Sequence, residues 1–423
     1  MASATDITAD TDTPRDYLAS HSWITFRLDV TKAPWTFWNH VGEARSKCSH
    51  LANTPLPPSL AEQMERVYLA RGAHATTAIE GNTLSEKQAL AAVEGRLQLP
   101  RSQRYLRQEL ENVVHAIAAI EQEIHAGGRL ELTLQRLREL NAQVLADLEV
   151  DDHVRPGALR THAVVVGGVY RGAPPQDCEY LVVRMCDWLN GPDFQGDDDG
   201  GERDFMLALL KAITAHIYIA WIHPFGDGNG RTARLIEFAI LTAAGVPSVA
   251  AHLLSNHYNA TRSRYYRELD HASKSGGELT RFLDYAAEGF VGELQQQLDE
   301  LHGWVVQAAW TNYVYEYFGD AHTVTPRRQR DLVLALPSDD YTPRAEVSTL
   351  TPHLAQAYAN KGPKTVTRDL NALSKAGLIE RTPEGVRARR ELMMSFVPRT
   401  VPGAQRDLDD RRAAGLEGWA RDR

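Results

Sequence analysis

An apolar helical run, Phe205 to Ile222, delivers a histidine straight into a turn, and a second apolar helix, roughly Thr232 to Ala244, leaves that turn. The joint reads Ile222-His223-Pro224-Phe225-Gly226-Asp227-Gly228-Asn229-Gly230-Arg231-Thr232-Ala233-Arg234. Two apolar helices joined this tightly constrain the chain more than any other feature, and the rest is organised around them. A helix start preceded by Gly-Asn-Gly offers free N–H groups, and glycine lets the backbone approach an anion closely.

The side chains of the joint extend that chemistry. Arg231 and Arg234 sit three apart on the second helix, so both are expected to face one polyphosphate with forked donors. Asp227 is a hard oxygen ligand suited to Mg²⁺, which accompanies nucleotide phosphates and keeps several waters. His223 has the proton affinity to take a proton from a hydroxyl at neutral pH. Each residue has a plain structural alternative: a capping histidine, an ordinary Gly-Asn-Gly turn, a solvated arginine face. All of those would have to coincide between His223 and Arg234.

This stretch resembles the signature of the Fic family of nucleotidyl transferases, His-Pro-Phe-x-Asp/Glu-Gly-Asn-Gly-Arg-x-x-Arg, and matches it completely from His223 to Arg234. The resemblance implies that Phe225 anchors the loop and Gly226 takes the free position. It also implies that His223 is the catalytic base, that Gly228, Asn229, Gly230, Arg231 and Arg234 bind the nucleotide, and that Asp227 holds Mg²⁺. The reaction implied is transfer of AMP from ATP to a Ser, Thr or Tyr hydroxyl of a protein, self-modification included. Removal of AMP by the same site is the enzymatic alternative.

Upstream, Leu60 to Ala78 reads as a helix that ends in Thr76-Thr77-Ala78-Ile79-Glu80-Gly81, with Gly81 as a C-cap. A carboxylate there sits at the unfavourable end of the macrodipole, which calls for a distant cationic partner. In Fic proteins Ser/Thr-x-x-x-Glu-Gly/Asn marks an inhibitory helix whose glutamate pairs with the second signature arginine. By resemblance the pair is Glu80 with Arg234, and the helix (about residues 60–81) places the chain with the N-terminal inhibitory subgroup.

Between these lies a β-branched stretch around a glycine pair, residues 157–175, read as a hairpin or flap with Val165, Val166, Gly167 and Gly168 at its tip. A free strand edge can hold an extended peptide by main-chain hydrogen bonds, and Fic proteins carry a target-docking flap at this point. Tyr265 and Tyr266, in a helix expected from His257 to His271, fall where the family has a Tyr-Tyr pair beside the adenine. Core packing is expected to claim one of the two.

The remaining chain is read as amphipathic helices with short links: Trp35 to Leu51, Leu84 to Gly95, Arg104 to Ile124, Thr133 to Asp147, Cys178 to Leu189 and Leu279 to Trp310. Alternation over Trp23 to Val30 predicts a short strand. Residues 1–19 are expected to form a disordered leader, Gly191 to Gly201 a mobile acidic loop, and residues 402–423 a disordered tail. The Fic-like region covers roughly residues 20–310, its core about residues 130–290. Net charge of −9 argues against wholesale nucleic-acid or membrane-surface binding. No run of about eighteen apolar residues occurs, so no transmembrane span is expected. Three cysteines without Cys-x-x-Cys spacing fit free, buried thiols and a reducing cytoplasm.

Residues 325–395 change character. Helices at 330–336, 347–359 and 365–375 precede strand-like 377–381 and 386–389 around a Thr382-Pro383-Glu384-Gly385 turn. This resembles a winged helix-turn-helix with Lys364 to Lys375 in the recognition position. Twelve Lys/Arg against eight Asp/Glu is a slight excess for tracking phosphates. DNA, a protein partner and a homodimer contact therefore all stay open, as does a nucleotide-sensing transcription regulator in place of an enzyme. The expected fold is mainly α: a helical core of Fic type with a small hairpin flap, then a winged helix-turn-helix.

Overall fold

The computed structural model describes residues 15–128, 130–167, 170–196, 202–319 and 323–394. In chain order they form α1 (Tyr17–Ser20), α2 (Trp35–Asn53), α3 (Pro58–Ala78), α4 (Glu86–Val93), α5 (Arg104–His125) and α6 (Leu134–Val144). A hairpin of β1 (Val165–Val166) and β2 (Tyr170–Arg171) follows, then α7 (Cys178–Leu189), α8 (Glu202–Ile222) and α9 (Asn229–Ala243). Short α10 (Ser248–Ala251) and α11 (Leu253–Ala260) lead to α12 (Arg262–Lys274) and the long α13 (Thr280–Phe318). The chain divides into two units, Met1–Leu298 and Asp299–Arg423, with the division inside α13.

Local chemistry sets most boundaries of the first unit. Pro58 occupies the first turn of α3, where its missing N–H costs nothing. Ser85 and Gln88 form a capping box on α4, and the Thr133 hydroxyl accepts the Arg136 N–H at the start of α6. Leu106, Leu110, Val113, Ile117 and Ile120 of α5 are all buried, as their in-step spacing predicts. The pair α8 and α9 forms the centre: Leu209, Ile213, Ile217 and Ile222 of α8 and Ile236, Ala239 and Leu241 of α9 are fully enclosed. By length and composition alone α8 could cross a membrane, at mean hydropathy 1.7 over Arg203–Ile222, but 72 % of that window is buried within the protein. All three cysteines are free and buried.

Several expectations change. Residues 23–29 form no strand, because no neighbouring strand offers a ladder; the Phe26 N–H instead donates to the Tyr218 hydroxyl at 2.9 Å, and Phe26 takes a φ of 51°. The helix expected from His257 to His271 is two helices broken at Thr261, whose hydroxyl donates back to the His257 carbonyl at 2.7 Å. In the leader, Tyr17 is buried and its N–H donates to Asp177 at 2.8 Å; residues 1–14 lie outside the described residues. Phe194, inside the expected mobile loop, is buried, while residues 197–201 of that loop and the tail at 402–423 lie outside the described residues.

The second unit packs α14 (Val324–Ala335), α15 (Pro352–Tyr358) and α16 (Pro363–Lys375) with the end of α13 and a hairpin of β3 (Ile379–Arg381) and β4 (Val386–Ala388). Ile379 pairs with Ala388 and Arg381 with Val386, and Thr342 bridges to Val386 beyond them. Trp310, Val314, Leu332, Leu354, Leu370 and Leu378 form its core. Trp310, expected in the first region, belongs here. The expected 347–359 helix is a short 3₁₀ turn followed by α15, capped where the Thr351 hydroxyl accepts the Leu354 N–H.

Candidate active site

The joint between α8 and α9 is built by its own side chains. The Asn229 amide is clamped in both directions to Phe225, accepting its N–H and donating to its carbonyl, each at 2.9 Å. Phe225 is 1 % exposed and so anchors the turn, as expected. The left-handed conformation falls on Gly228, at φ 76°, rather than on Gly226. Gly226 is required by closeness instead, since a Cβ there would meet Val154 at 2.9 Å. No side chain caps α9, and its first N–H groups, at Asn229, Gly230 and Arg231, find no acceptor among the described residues. The Asn229 side chain is occupied, so only its backbone remains for a ligand.

His223 stands at the end of α8 with φ 51° and is half-buried. Burial pulls its pKa down to about 4; the charge of Arg160 adds to this, while Glu80, a hydrogen bond with the Ala220 backbone and Asp227 oppose it. The imidazole is therefore neutral at physiological pH. A cavity of about 520 Å³ opens on it, lined also by Glu80, Gly230, Arg234, Tyr266 and the hairpin residues Val166 and Gly167.

Glu80 lies across this cavity. Its Oε1 accepts from Arg234 Nη2 at 2.5 Å, and the same Nη2 donates to the Thr76 carbonyl at 2.8 Å. A Cβ on Gly230 would come within 2.0 Å of that carboxylate oxygen, so Glu80 rests on the open N-terminus of α9. Burial alone would raise its pKa, but the charge and hydrogen bond of Arg234 outweigh burial and hold it below the usual range. Gly81 follows with φ 105°, as the expected C-cap.

Arg231 departs from expectation. Its guanidinium donates to Glu109 Oε1 at 2.6 Å and to Asp227 Oδ1 at 3.3 Å, on a different face from the cavity that holds Arg234. Residues three apart on a helix lie on neighbouring positions, and it is the half-buried Glu109 carboxylate on α5 that draws the Arg231 guanidinium away from Arg234. Glu109 also accepts from Asn82 at 2.9 Å, and burial raises its pKa against the pull of Arg231. Asp227 stays half exposed and also accepts the Gly228 N–H at 2.5 Å.

The tyrosine pair divides. Tyr265 is 4 % exposed and its hydroxyl meets His216 Nε2 at 2.7 Å, while His216 Nδ1 faces Glu237 at 2.9 Å. Tyr266 is exposed beside the cavity, with the Arg262 guanidinium 5.9 Å from its ring centre. In the hairpin, Val166 pairs with Tyr170, Val165 is 58 % exposed, and Gly168 lies outside the described residues.

Sequence reasoning missed three supports. Arg160 donates to the carbonyls of His223 at 2.6 Å, His162 at 2.7 Å, Ile222 at 3.3 Å and Ala173, and its own N–H donates to Pro224 at 2.9 Å. Asn141 donates to the Asp227 carbonyl at 2.9 Å and accepts the Gly157 N–H at 3.0 Å. Glu109 fixes Arg231. None carries a local signal, since the contacts that hold the turn, Arg160 to His223, Asn141 to Asp227 and Glu109 to Arg231, each join residues far apart in the chain.

A metal would find a sparse protein donor set here. No group of three or more His, Cys, Asp or Glu could hold one among the described residues. One half-exposed carboxylate, Asp227, beside unsatisfied backbone donors suits an ion that brings phosphate and water ligands with it, as Mg²⁺ does.

Residues 131–241 match the model of the Fic/DOC family. Over 258 residues the chain is 30 % identical to protein adenylyltransferase fic-1 of Caenorhabditis briggsae, covering 61 % of this chain and 46 % of that protein. The protein of the same name from Caenorhabditis elegans is 29 % identical over the same length, and protein adenylyltransferase Fic of Drosophila willistoni 30 % over 210 residues. The chain thus spans about half the length, 46 %, of the first of these curated relatives. Among solved structures it is similar to a Fic family protein from Desulfovibrio desulfuricans G20, at TM-score 0.52 and 22 % identity, covering 86 % of this chain and 97 % of that one. It is also similar to residues 134–508 of Fic-1 from C. elegans, at TM-score 0.51 and 23 % identity, covering 63 % and 73 %. At such identities these structures carry the fold alone.

Proposed function

We propose, on the premise that residues 131–241 are a Fic/DOC-family domain, that this chain is a protein adenylyltransferase. It moves AMP from ATP to a Ser, Thr or Tyr hydroxyl of a protein. The observation that carries this reading is a neutral imidazole, His223, sharing one cavity with an uncapped helix N-terminus and Arg234.

In the proposed step the target hydroxyl oxygen attacks the α-phosphorus and His223 takes its proton. The new O–P bond forms as the bond to the α,β-bridging oxygen breaks, and pyrophosphate leaves with the electron pair. The N–H groups of Asn229 and Gly230 meet the charge that grows on phosphate oxygens, and being fixed by the turn they need no reorganisation. Arg234 holds the outer phosphates. Asp227 would hold Mg²⁺, which when bound neutralises phosphate charge. Val165 and Val166 offer a strand edge to the target segment, and Tyr266 with Arg262 flanks the base.

The chain is autoinhibited on this reading. Glu80 places a carboxylate where an outer phosphate would sit and occupies Arg234. Because Glu80 and His223 line one cavity, the same site could also activate water against an AMP-modified protein. The second unit is read as a winged helix-turn-helix, from α14, α15 and α16 followed by the β3–β4 hairpin.

Mass spectrometry tests the proposal. The Glu80→Gly chain, incubated with Mg·ATP and a lysate, should add the mass of AMP to hydroxyl side chains, and Glu80→Gly/His223→Ala should not. Addition of another nucleotide's mass, or labelling that survives loss of His223, would refute it. Incubation of wild type with an AMP-modified protein reads the reverse reaction.

A further inference from the structure

We infer that the exposed face of α16 in the second unit docks double-stranded DNA, lying in the major groove. Lys364, Arg368, Asn371 and Lys375 fall at i, i+4, i+7 and i+11, a single stripe along the helix, and all four are exposed. None of the three cations on it has a carboxylate partner within 4 Å among the described residues, and neither has Lys361 just ahead of the helix. Several cations elsewhere in the unit are paired: Arg328 with Asp369, Arg330 with Asp331, Arg387 with Glu380 and Glu391. The stripe is therefore cationic and uncompensated.

The one acid within α16 is withdrawn from that face. Asp369 is 1 % exposed; it takes Arg328 Nε at 2.8 Å and Nη2 at 3.2 Å, the Tyr358 hydroxyl at 3.0 Å and Gln329 at 2.9 Å. Four donors on one buried carboxylate fix the rotation of α16, so Leu370 and Leu373 face the core and the stripe faces out. At the next strand Arg381 donates to Asn371, continuing the positive face towards the β3–β4 turn, and exposed Arg344 donates to Thr367 on its other side. Glu384, in that turn, and Glu346, two residues beyond Arg344, are exposed acids in this unit.

The shape selects the occupant. A helix of 13 residues is roughly 20 Å long, and the major groove of B-form DNA, about 12 Å wide, admits a helix. The deep, narrow major groove of A-form RNA does not. Asn371 stands mid-stripe between Arg368 and Lys375; its Oδ1 accepts from Arg381, and its amide NH₂ is able to donate to an acceptor on a base edge. A chain with net charge −9 would repel DNA as a whole, so attraction confined to this face orients the encounter.

The test is fluorescence anisotropy of the full chain with a random-sequence DNA duplex of ~30 base pairs, titrated between about 50 and 200 mM salt. Affinity should fall steeply with salt, and Lys364→Glu/Arg368→Glu should weaken binding at least about tenfold and flatten the salt slope by about two. Asn371→Ala should blunt the sequence preference found by selection from a random pool. Both sites are exposed, so matching melting curves establish that the variants are folded. No binding at the lowest salt, undiminished binding by the charge-reversed variant, or tighter binding of an RNA duplex would overturn the inference.

Discussion

Glu80 and Arg234 lie 154 positions apart in the chain and meet at 2.5 Å, with the carboxylate resting over Gly230. One placement resolves two local conflicts. At the end of α3 a carboxylate opposes the macrodipole of its own helix, but over the start of α9 it complements the macrodipole of another and accepts from the buried Arg234 guanidinium. On the proposed reading the contact is also an obstacle to phosphate binding at that helix start.

Removing the obstacle should release activity. Glu80→Gly is expected to raise self-labelling by α-labelled ATP by about ten- to several hundredfold, the range set by breaking a partly buried charge pair. Labelling assays at saturating ATP check this. Equal rates for wild type and variant would show that Glu80 does not restrain the site.

The pH dependence follows from burial of His223. With its pKa drawn from 6.5 to about 4, the base form is already present at pH 6, and Glu80→Gly removes a charge that raises this pKa, so labelling by the variant should fall only as pH drops to about 4 or below. Folding behaves differently. Between the unfolded value of 6.5 and the folded value near 4 the unfolded chain binds protons that the folded chain excludes. His252 and His257 share the shift. Stability should therefore be constant with respect to these groups above pH 7 and decline steadily from pH 6.5 downwards, read by urea denaturation at stepped pH.

Asp227→Asn tests the metal assignment. The side chain is half exposed, so folding should change by less than about 0.5 kcal/mol. The Mg²⁺ concentration needed for half-maximal labelling should rise at least tenfold. An unchanged Mg²⁺ titration would remove Asp227 as the ligand.

Arg160 should prove indispensable to the loop without touching the nucleotide. Arg160→Ala abandons four carbonyls around His223, which predicts a loss of about 3–5 kcal/mol in stability. Arg160→Lys should not rescue it, because one ammonium cannot span that fork. Thermal melts and labelling measured together distinguish this from a simple catalytic loss.

Legibility followed sequence distance. The turn at His223–Arg234 could be read because base, acid, glycines and arginines are consecutive, and helix spacing carried the apolar face of α5. Residues 23–29 misled because alternation predicts a strand only where a partner exists to pair with it. Tyr265 and Tyr266 could not be told apart until His216 claimed one hydroxyl.

The sequence by itself determined the two central helices, the turn between them, and the chemical groups brought to that turn, since all of these follow from backbone preference and short-range spacing. Only the tertiary structure decided that Glu109 would turn Arg231 aside, that Arg160 would hold the His223 backbone, and that Asp369 would be drawn inward and leave a bare cationic stripe on α16. Each of those outcomes is a buried charge or carbonyl finding its partner 40 or more residues away. Which partner satisfies it depends on how the helices pack, and local sequence does not encode that.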